Sequence, residues 1–362
     1  MRVALVHDWL IHMRGGEKVL EALAEMYPDA KIYTLFCDRS KLSPGLQKME
    51  MRTSFLQYLP GIKRYYRWLL PWLPSVISTL KLEPADLVIS SSHCVAKGIY
   101  VPAGVPHLTY CHTPMRYLWG FEDEYFGAYP LWVKWLIRRI LERLRAWDLE
   151  TNSGILHFIC NSENVLNRVR KYYGREGSVV YPPLDTEQFS PDLATGEMRG
   201  EYYLAVSAFV PYKRLDIVIE AFNQLDRQLL VVGSGPLERA YRKMRKSNKI
   251  SFLGAVPSSE LRRFYAGAKA LIFPAEEDFG IVPLEAQACG TPVIAYGKGG
   301  ALEGVKTGVF FDAQTPQAVI EAVYAFERMS FERMAVAQKV AGFSKEHFKK
   351  NMQQCLKDVL KD

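Results

Sequence analysis

The sequence predicts an α/β protein made of two tandem parallel-sheet domains, and three observations carry that expectation. Its 362 residues exceed what one ordinary hydrophobic core organises. Short apolar runs alternate with amphipathic helical stretches along most of the chain, the pattern of a parallel sheet with crossover helices. The alternation breaks once, at "YPPLDTEQFSPDLATGEMRGE", residues 181–201, whose prolines, acids and small polar residues read as a linker. The expected domains are residues 1–190 and 191–341, with residues 342–362 as a C-terminal helix packing back on the first domain.

In order, residues 2–7 read as a buried strand, Gly15-Gly16 as a turn, and the following stretch to about Met26 as an amphipathic helix. Strands are expected at 31–36, 86–91, 107–111, 157–161 and 178–181, with helices at 131–151 and 164–173. Past the linker, strands are expected at 203–207 and 229–232, in "ISFLGAV" and "ALIFPA", and in "PVIAY". Helices are expected at 215–223, after Gly280, and at about 344–361. Ligands of open α/β sheets bind outside the carboxyl ends of the strands, so two such domains facing each other would enclose a cleft.

The bulk numbers narrow the function classes. A net charge of +7 suits an anionic ligand or surface and is too small to argue for nucleic acid. The six cysteines contain no C-x-x-C pair, which argues against a zinc ribbon or a disulfide framework and fits a reduced, cytoplasmic setting. The N-terminal "MRVALVHDWL" does not read as a secretion signal, and no stretch of about 18 apolar residues offers a spanning helix.

Most candidate chemistry follows a predicted strand. Gly15 and Gly16 open a helix, where small residues let backbone N–H groups approach a phosphate; a plain tight turn fits as well. Lys213 and Arg214 follow the 203–207 strand, beyond Ser207. Two cations there suit a pyrophosphate, because cations otherwise oppose the dipole of the helix they precede; two solvated charges are the alternative. In "EEDFGIVPLEAQACG", Glu277 lies before a helix start and Glu285 is expected about two residues into it. The backbone N–H groups near Phe279, Gly280, Ile281 and Val282 are then free for anionic oxygens, and the carboxylates can accept bonds from vicinal hydroxyls. Phosphates and diols together describe a nucleotide sugar. Gly233, after the 229–232 strand, adds a loop for the base. His112 ends the 107–111 strand, beside Arg116, Tyr117 and Trp119, and suits a sugar hydroxyl or acid–base work; a turn residue bonded to backbone is the other reading.

These residues together resemble glycosyltransferase family 4, retaining enzymes of the GT-B fold with two Rossmann-like doubly wound domains facing a central cleft. The resemblance is carried by Glu277-x7-Glu285, "CGTPVIA", Gly299-Gly300 with Glu303, and Gly308 in "GVFF". Asp278 departs from the small residue usual after the first glutamate. "HDWL", "GGEKVLEAL" and "CHTPMRYLW" resemble bacterial mannosyltransferases of polysaccharide and O-antigen assembly. The resemblance implies a hexosyltransferase, with mannose from GDP-mannose as the favoured donor and a glycan or lipid-diphosphate-linked glycan as acceptor. It implies that Glu277 contacts donor-sugar hydroxyls and Glu285 the ribose diol, and that Lys213 and Arg214 hold the pyrophosphate. Gly16 would bring backbone against the phosphates, and His112 would bond the sugar near the reacting carbon. No cofactor or metal is expected, and the chain has no D-x-D triplet. A UDP- or dTDP-sugar donor, a sugar phosphorylase or epimerase of the same fold, and a non-catalytic nucleotide-sugar-binding protein stay open as alternatives.

Two basic, aromatic stretches are candidates for the acceptor or membrane side. Residues 52–82 include Lys63 and Arg64; residues 130–147 include Arg138 and Arg139, with Trp132, Trp135, Leu136, Ile140 and Leu144 near helical spacing. They read either as a surface for an anionic membrane, with the protein peripheral on the inner face, or as a core-facing stripe with a solvated basic side.

Overall fold

The computed structural model describes residues 1–127, 129–191 and 201–360; residues 192–200 of the expected linker and the last residue of the expected final helix lie outside the described part. The chain forms two compact units, one of Met1–Pro183 with the stretch from Glu346 onward, the other of Leu184–Lys345. The division falls at Pro183, upstream of residue 190.

The first unit holds a seven-stranded, all-parallel sheet: β1 (Val3–His7), β2 (Lys31–Thr34), β3 (Met51–Thr53), β4 (Leu87–Ser92), β5 (His107–Cys111), β6 (His157–Cys160) and β7 (Gly177–Val179), in the order β3-β2-β1-β4-β5-β6-β7. The chain winds outward from β1 to β3, then returns to β4 and winds the other way. The carboxyl ends of β1 and β4 therefore flank a topological switch point, where doubly wound sheets open a crevice. His7 pairs with Ser91 in that register.

The second unit repeats the scheme with six parallel strands: β8 (Tyr202–Val206), β9 (Gln228–Val232), β10 (Ile250–Gly254), β11 (Ala270–Phe273), β12 (Val293–Tyr296) and β13 (Gly308–Phe311), in the order β10-β9-β8-β11-β12-β13. Its switch point lies between β8 and β11. The segments that follow those two strands carry Lys213, Arg214 and Glu277. Strand β13, not among the expected strands, closes the edge. At Gly308 a Cβ would stand 1.8 Å from the carbonyl oxygen of Val293, so only glycine admits the pairing.

The chain enters and leaves the second unit side by side. Leu184 bridges Ser344, and the Leu184 N–H donates to the Phe343 carbonyl at 2.8 Å. The final helix, Lys345–Val359, then sets Phe348, Met352, Cys355 and Leu356 into the core of the first unit beside Leu5, Leu108 and Tyr110. All six cysteines are buried and free.

Met352 is fully buried, and truncating such a side chain costs its transfer energy plus a cavity. We expect Met352→Ala to lower the unfolding free energy by about 2–5 kcal/mol in urea denaturation followed by circular dichroism. An unchanged midpoint would show that this helix does not hold the first unit together.

Candidate active site

In the second unit, the turn after β8 brings Lys213 into an ion pair with Glu277 from the turn after β11. Both side chains are largely buried. Arg214 caps the helix Leu215–Phe222 in the left-handed region, at φ 50°, and is the one non-glycine residue with positive φ among the described residues. That backbone costs on the order of 1–3 kcal/mol and persists only where neighbours enforce it. Here Asp216 grips the guanidinium at 3.1 and 3.2 Å, and Gln314 accepts from it at 3.3 Å. Gln314 also donates to the Pro274 carbonyl at 2.8 Å, tying Arg214 to the end of β11. Asp216 in the first helical turn answers the objection that two cations there oppose the dipole.

The loop carrying Glu277 is clamped from behind. The Gly300 N–H donates to the Glu277 carbonyl at 2.8 Å, and a Cβ on Gly300 would lie 2.2 Å from the Phe279 Cα. Phe279 is buried, 6.0 Å from the Phe343 ring. Gly280, at φ 88°, starts the helix Ile281–Ala288, whose first residues Ile281 and Val282 are partly exposed. Ser207 and Gly233 lie side by side at the ends of β8 and β9, where a Cβ on Gly233 would stand 1.8 Å from the Ser207 carbonyl oxygen.

Glu285 departs from expectation. It is the fifth residue of its helix rather than about two residues in, because the helix already begins at Ile281, which puts Pro283 third and still inside the first turn. One turn deeper, it is 6% exposed, and the Tyr265 hydroxyl donates to its Oε2 at 3.1 Å. The structure thus brings Lys213 and Glu277 together and gives Glu285 a phenol as partner.

In the first unit, His112 follows β5 beneath Gly16, the second residue of the helix Gly15–Met26. A Cβ on Gly16 would lie 3.5 Å from both the His112 and His7 rings. His112 Nε2 stands 2.8 Å from Ser91 Oγ, and His7 Nδ1 stands 3.1 Å from the same oxygen. His93 completes a group of three rings whose centroids are 6.1–6.5 Å apart. Under them Asp8, fully buried, accepts from the backbone N–H groups of His93, Cys94, Val95 and Ala96 at 2.6–3.1 Å and pairs with His93 Nδ1 at 2.9 Å.

Burial alone would raise the Asp8 carboxyl, but the His93 charge and hydrogen bonds outweigh it and hold it well below the usual carboxylate range. Burial pulls His93 down, yet Asp8 raises it above its ordinary value. His112 goes far the other way, pushed down by burial and then by the charges of His7 and His93, and His7 is lowered chiefly by burial. His112 is therefore neutral at physiological pH. His7, Asp8, Ser91 and His93 were not singled out from sequence; the available signal was an aspartate directly after a buried strand.

The acceptor-side candidates divide. The Tyr117 hydroxyl lies 2.9 Å from Cys94 Sγ, and the Trp119 indole N–H donates to Asp148 at 2.7 Å. Asp148 is itself buried against Lys97 at 3.0 Å. Arg116 lies over the Phe121 ring at 3.6 Å. All three remain partly exposed. Lys63 pairs with Asp38 at 2.7 Å, while Arg64, Arg138 and Arg139 are exposed. Among the described residues no group of His, Cys, Asp and Glu is arranged to hold a metal ion, and no helix is long and apolar enough to cross a membrane.

Residues 13–188 match the family model described as Glycosyltransferase Family 4, and residues 193–341 match the one described as Glycosyl transferases group 1. The chain thus carries a Glycosyltransferase Family 4 domain followed by a Glycosyl transferases group 1 domain. Its relatives include a GDP-mannose-dependent alpha-(1-6)-phosphatidylinositol monomannoside mannosyltransferase of Mycolicibacterium smegmatis, 34% identical over 44% of this chain and 49% of that protein. A D-inositol 3-phosphate glycosyltransferase of Corynebacterium glutamicum is 34% identical over 51% of each. The chain thus spans about half the length of the curated relatives it matches. Among solved structures, Anabaena HepE in complex with UDP and glucose superposes with a TM-score of 0.73 at 18% identity, over 98% of this chain and 99% of that one. Sucrose-phosphate synthase from Thermosynechococcus elongatus gives 0.75 at 18% identity, over 99% of both chains. The chain therefore has the GT-B fold.

The Asp8–His93 pair makes a pH-dependent contribution whose sign is fixed. Asp8 is depressed, so its share is present above about pH 4 and is lost as pH falls toward its folded value. His93 is raised, so its share is complete below about pH 6.5 and is lost as pH rises through its folded value. We expect Asp8→Asn to lose about 3–5 kcal/mol of unfolding free energy near pH 5.5, and less near pH 8.5, in chemical denaturation. A gap that widens with pH would refute the pairing.

Proposed function

We propose that this protein is a retaining hexosyltransferase that takes mannose from GDP-mannose and delivers it to a glycan or lipid-linked glycan acceptor in cell-surface polysaccharide assembly. The observation that carries the proposal is the pairing of Lys213 with Glu277 at the switch point of the second unit, inside the stretch matched as group 1 glycosyl transferases. In this reading, sugar transfer builds positive charge on the sugar ring and negative charge on the departing diphosphate. Lys213, Arg214 and the N–H groups of Gly280, Ile281 and Val282 meet the negative charge, preorganised and partly shielded from water. Glu277 orients the sugar through its hydroxyls while holding Lys213 in place. The GDP-mannose dependence in the names of matched relatives supports that donor. The UDP bound by Anabaena HepE favours a UDP-sugar as the second reading.

The test is binding and slow hydrolysis of GDP-mannose, UDP-glucose, UDP-N-acetylglucosamine and dTDP-rhamnose without added metal. We expect GDP-mannose alone to be turned over, and Lys213→Ala to reduce kcat roughly 10²–10³-fold. Turnover of a UDP or dTDP sugar would keep the site and replace the donor. Binding without any turnover would favour a nucleotide-sugar-binding protein.

We further infer a peripheral contact with anionic membrane. Phe55, Tyr58, Trp68 and Trp72 are exposed beside Arg64 and Arg67, and the helix Leu131–Glu150 exposes Leu131, Trp132, Trp135 and Leu136 beside Arg138 and Arg139. The inner sides of both stretches, through Leu56, Ile62, Tyr66, Leu141 and Leu144, enter one buried cluster, so their exposed aromatics flank the same part of the first unit. The helical stripe read from sequence divides: Leu144 is core, while the tryptophans face solvent. Amphipathic faces with this mixture insert at headgroup level, at about 1 kcal/mol for each basic residue near an anionic surface. We expect co-sedimentation with phosphatidylglycerol vesicles that weakens with salt and is lost in Trp132→Ala/Trp135→Ala. Equal binding to neutral vesicles, or none at low salt, would refute it.

A further inference from the structure

Ser91 Oγ is buried between two imidazole nitrogens, His112 Nε2 at 2.8 Å and His7 Nδ1 at 3.1 Å. A hydroxyl has one hydrogen, so Ser91 donates to one ring and accepts from the other. The positions of the hydrogens on His7 and His112 are therefore coupled, and two arrangements are possible.

Two observations choose between them. The other nitrogen of His7, Nε2, is buried without a hydrogen-bond partner. Asp8 and Glu17 act on the charge of His7, but neither bonds that atom. An orphaned N–H is rarer in buried positions than an unmatched acceptor, so Nε2 carries the lone pair and the hydrogen sits on Nδ1. His7 then donates to Ser91, and Ser91 donates to His112 Nε2. The distances agree independently: hydroxyl donors make shorter bonds than ring N–H donors, and the His112 contact is the shorter.

We propose that Ser91 and His7 hold His112 in its Nδ1–H tautomer, so that the imidazole meets its ligand as a neutral hydrogen-bond donor. Among the described residues nothing bonds His112 Nδ1, and unlike His7 Nε2 it is not sealed from solvent. Its partner is an acceptor oxygen, of a sugar hydroxyl or of the diphosphate. In this form His112 has no free lone pair: Nε2 is engaged by Ser91 and Nδ1 carries hydrogen. It cannot serve as the base that removes the acceptor's proton. Ser91 and His7 are positioning residues. The nature of the ligand rests on the glycosyltransferase reading; the tautomer does not.

The test is a two-bond nitrogen–proton correlation on ligand-free, ¹⁵N-histidine-labelled protein, with His112 assigned by the signals lost in His112→Asn. We expect wild type and Ser91→Thr to show hydrogen on Nδ1 of His112, and Ser91→Ala to shift it largely to Nε2. Unchanged signals from His12, His157 and His347, which do not touch Ser91, would show that the variant is folded. An Nε2–H wild type, or an Ser91→Ala spectrum still showing Nδ1–H, overturns the proposal. In the transfer assay kcat should fall about tenfold in Ser91→Ala and recover in Ser91→Thr. If the wild type transfers no sugar while the tautomer is as stated, the functional reading fails and the tautomer assignment stands.

Discussion

The first unit's site depends on one buried carboxylate. Asp8 lies directly after β1 and takes up four consecutive backbone N–H groups after β4, with His93 as its counter-charge. Those four donors begin a turn that has no strand to satisfy them, and a carboxylate is the side chain with enough lone pairs to do so. Because the two ends are joined there, Ser91 is fixed at the end of β4, and the three histidines converge. Without Asp8 the switch point between β1 and β4 would be a loose crevice with unsatisfied donors. With it, a neutral imidazole is held against Gly16 at van der Waals distance.

The second unit reaches the same end by different means. Its switch point is also crossed by a charged pair, Lys213 with Glu277, but the support comes from the strained Arg214 backbone and from Gln314 reaching across to the end of β11. Glycines 299 and 300 let the next loop press against the Glu277 turn. In the second unit the left-handed Arg214 backbone and the close approach of Gly300 to Phe279 both fall past the carboxyl ends of the two central strands, where doubly wound sheets bind ligands.

How much of this was legible follows from the range of each interaction. Long apolar runs such as β1, β4 and β5 announce themselves because both faces of a parallel sheet are buried. β3, of three residues, and the helix Ser258–Gly267, with its mixed charge, carry too little pattern. Lys213, Arg214, Glu277 and Gly280 could be read because each sits a few residues past a strand. The depth of Glu285 could not, since it turns on where the loop after β11 becomes helix, which is at Ile281. Nothing local to Asp8 reveals that its partners lie some 85 residues away, nor does Trp119 reveal that its N–H belongs to Asp148. Such pairings appear only once the sheet order sets distant strand ends side by side.

The adjacency of Leu184 and Ser344 has a consequence for how the protein comes into being. The second unit is complete once the chain reaches Lys345, whereas the first, begun at the N-terminus, still lacks Phe348, Met352 and Leu356 from its core. During synthesis the second unit can therefore close before the first, reversing the usual N-to-C order of domain folding. Until the last helix emerges, the faces of Leu5, Leu108 and Tyr110 that it will cover stand open to water. The nascent chain thus carries its aggregation hazard in the domain that was made first.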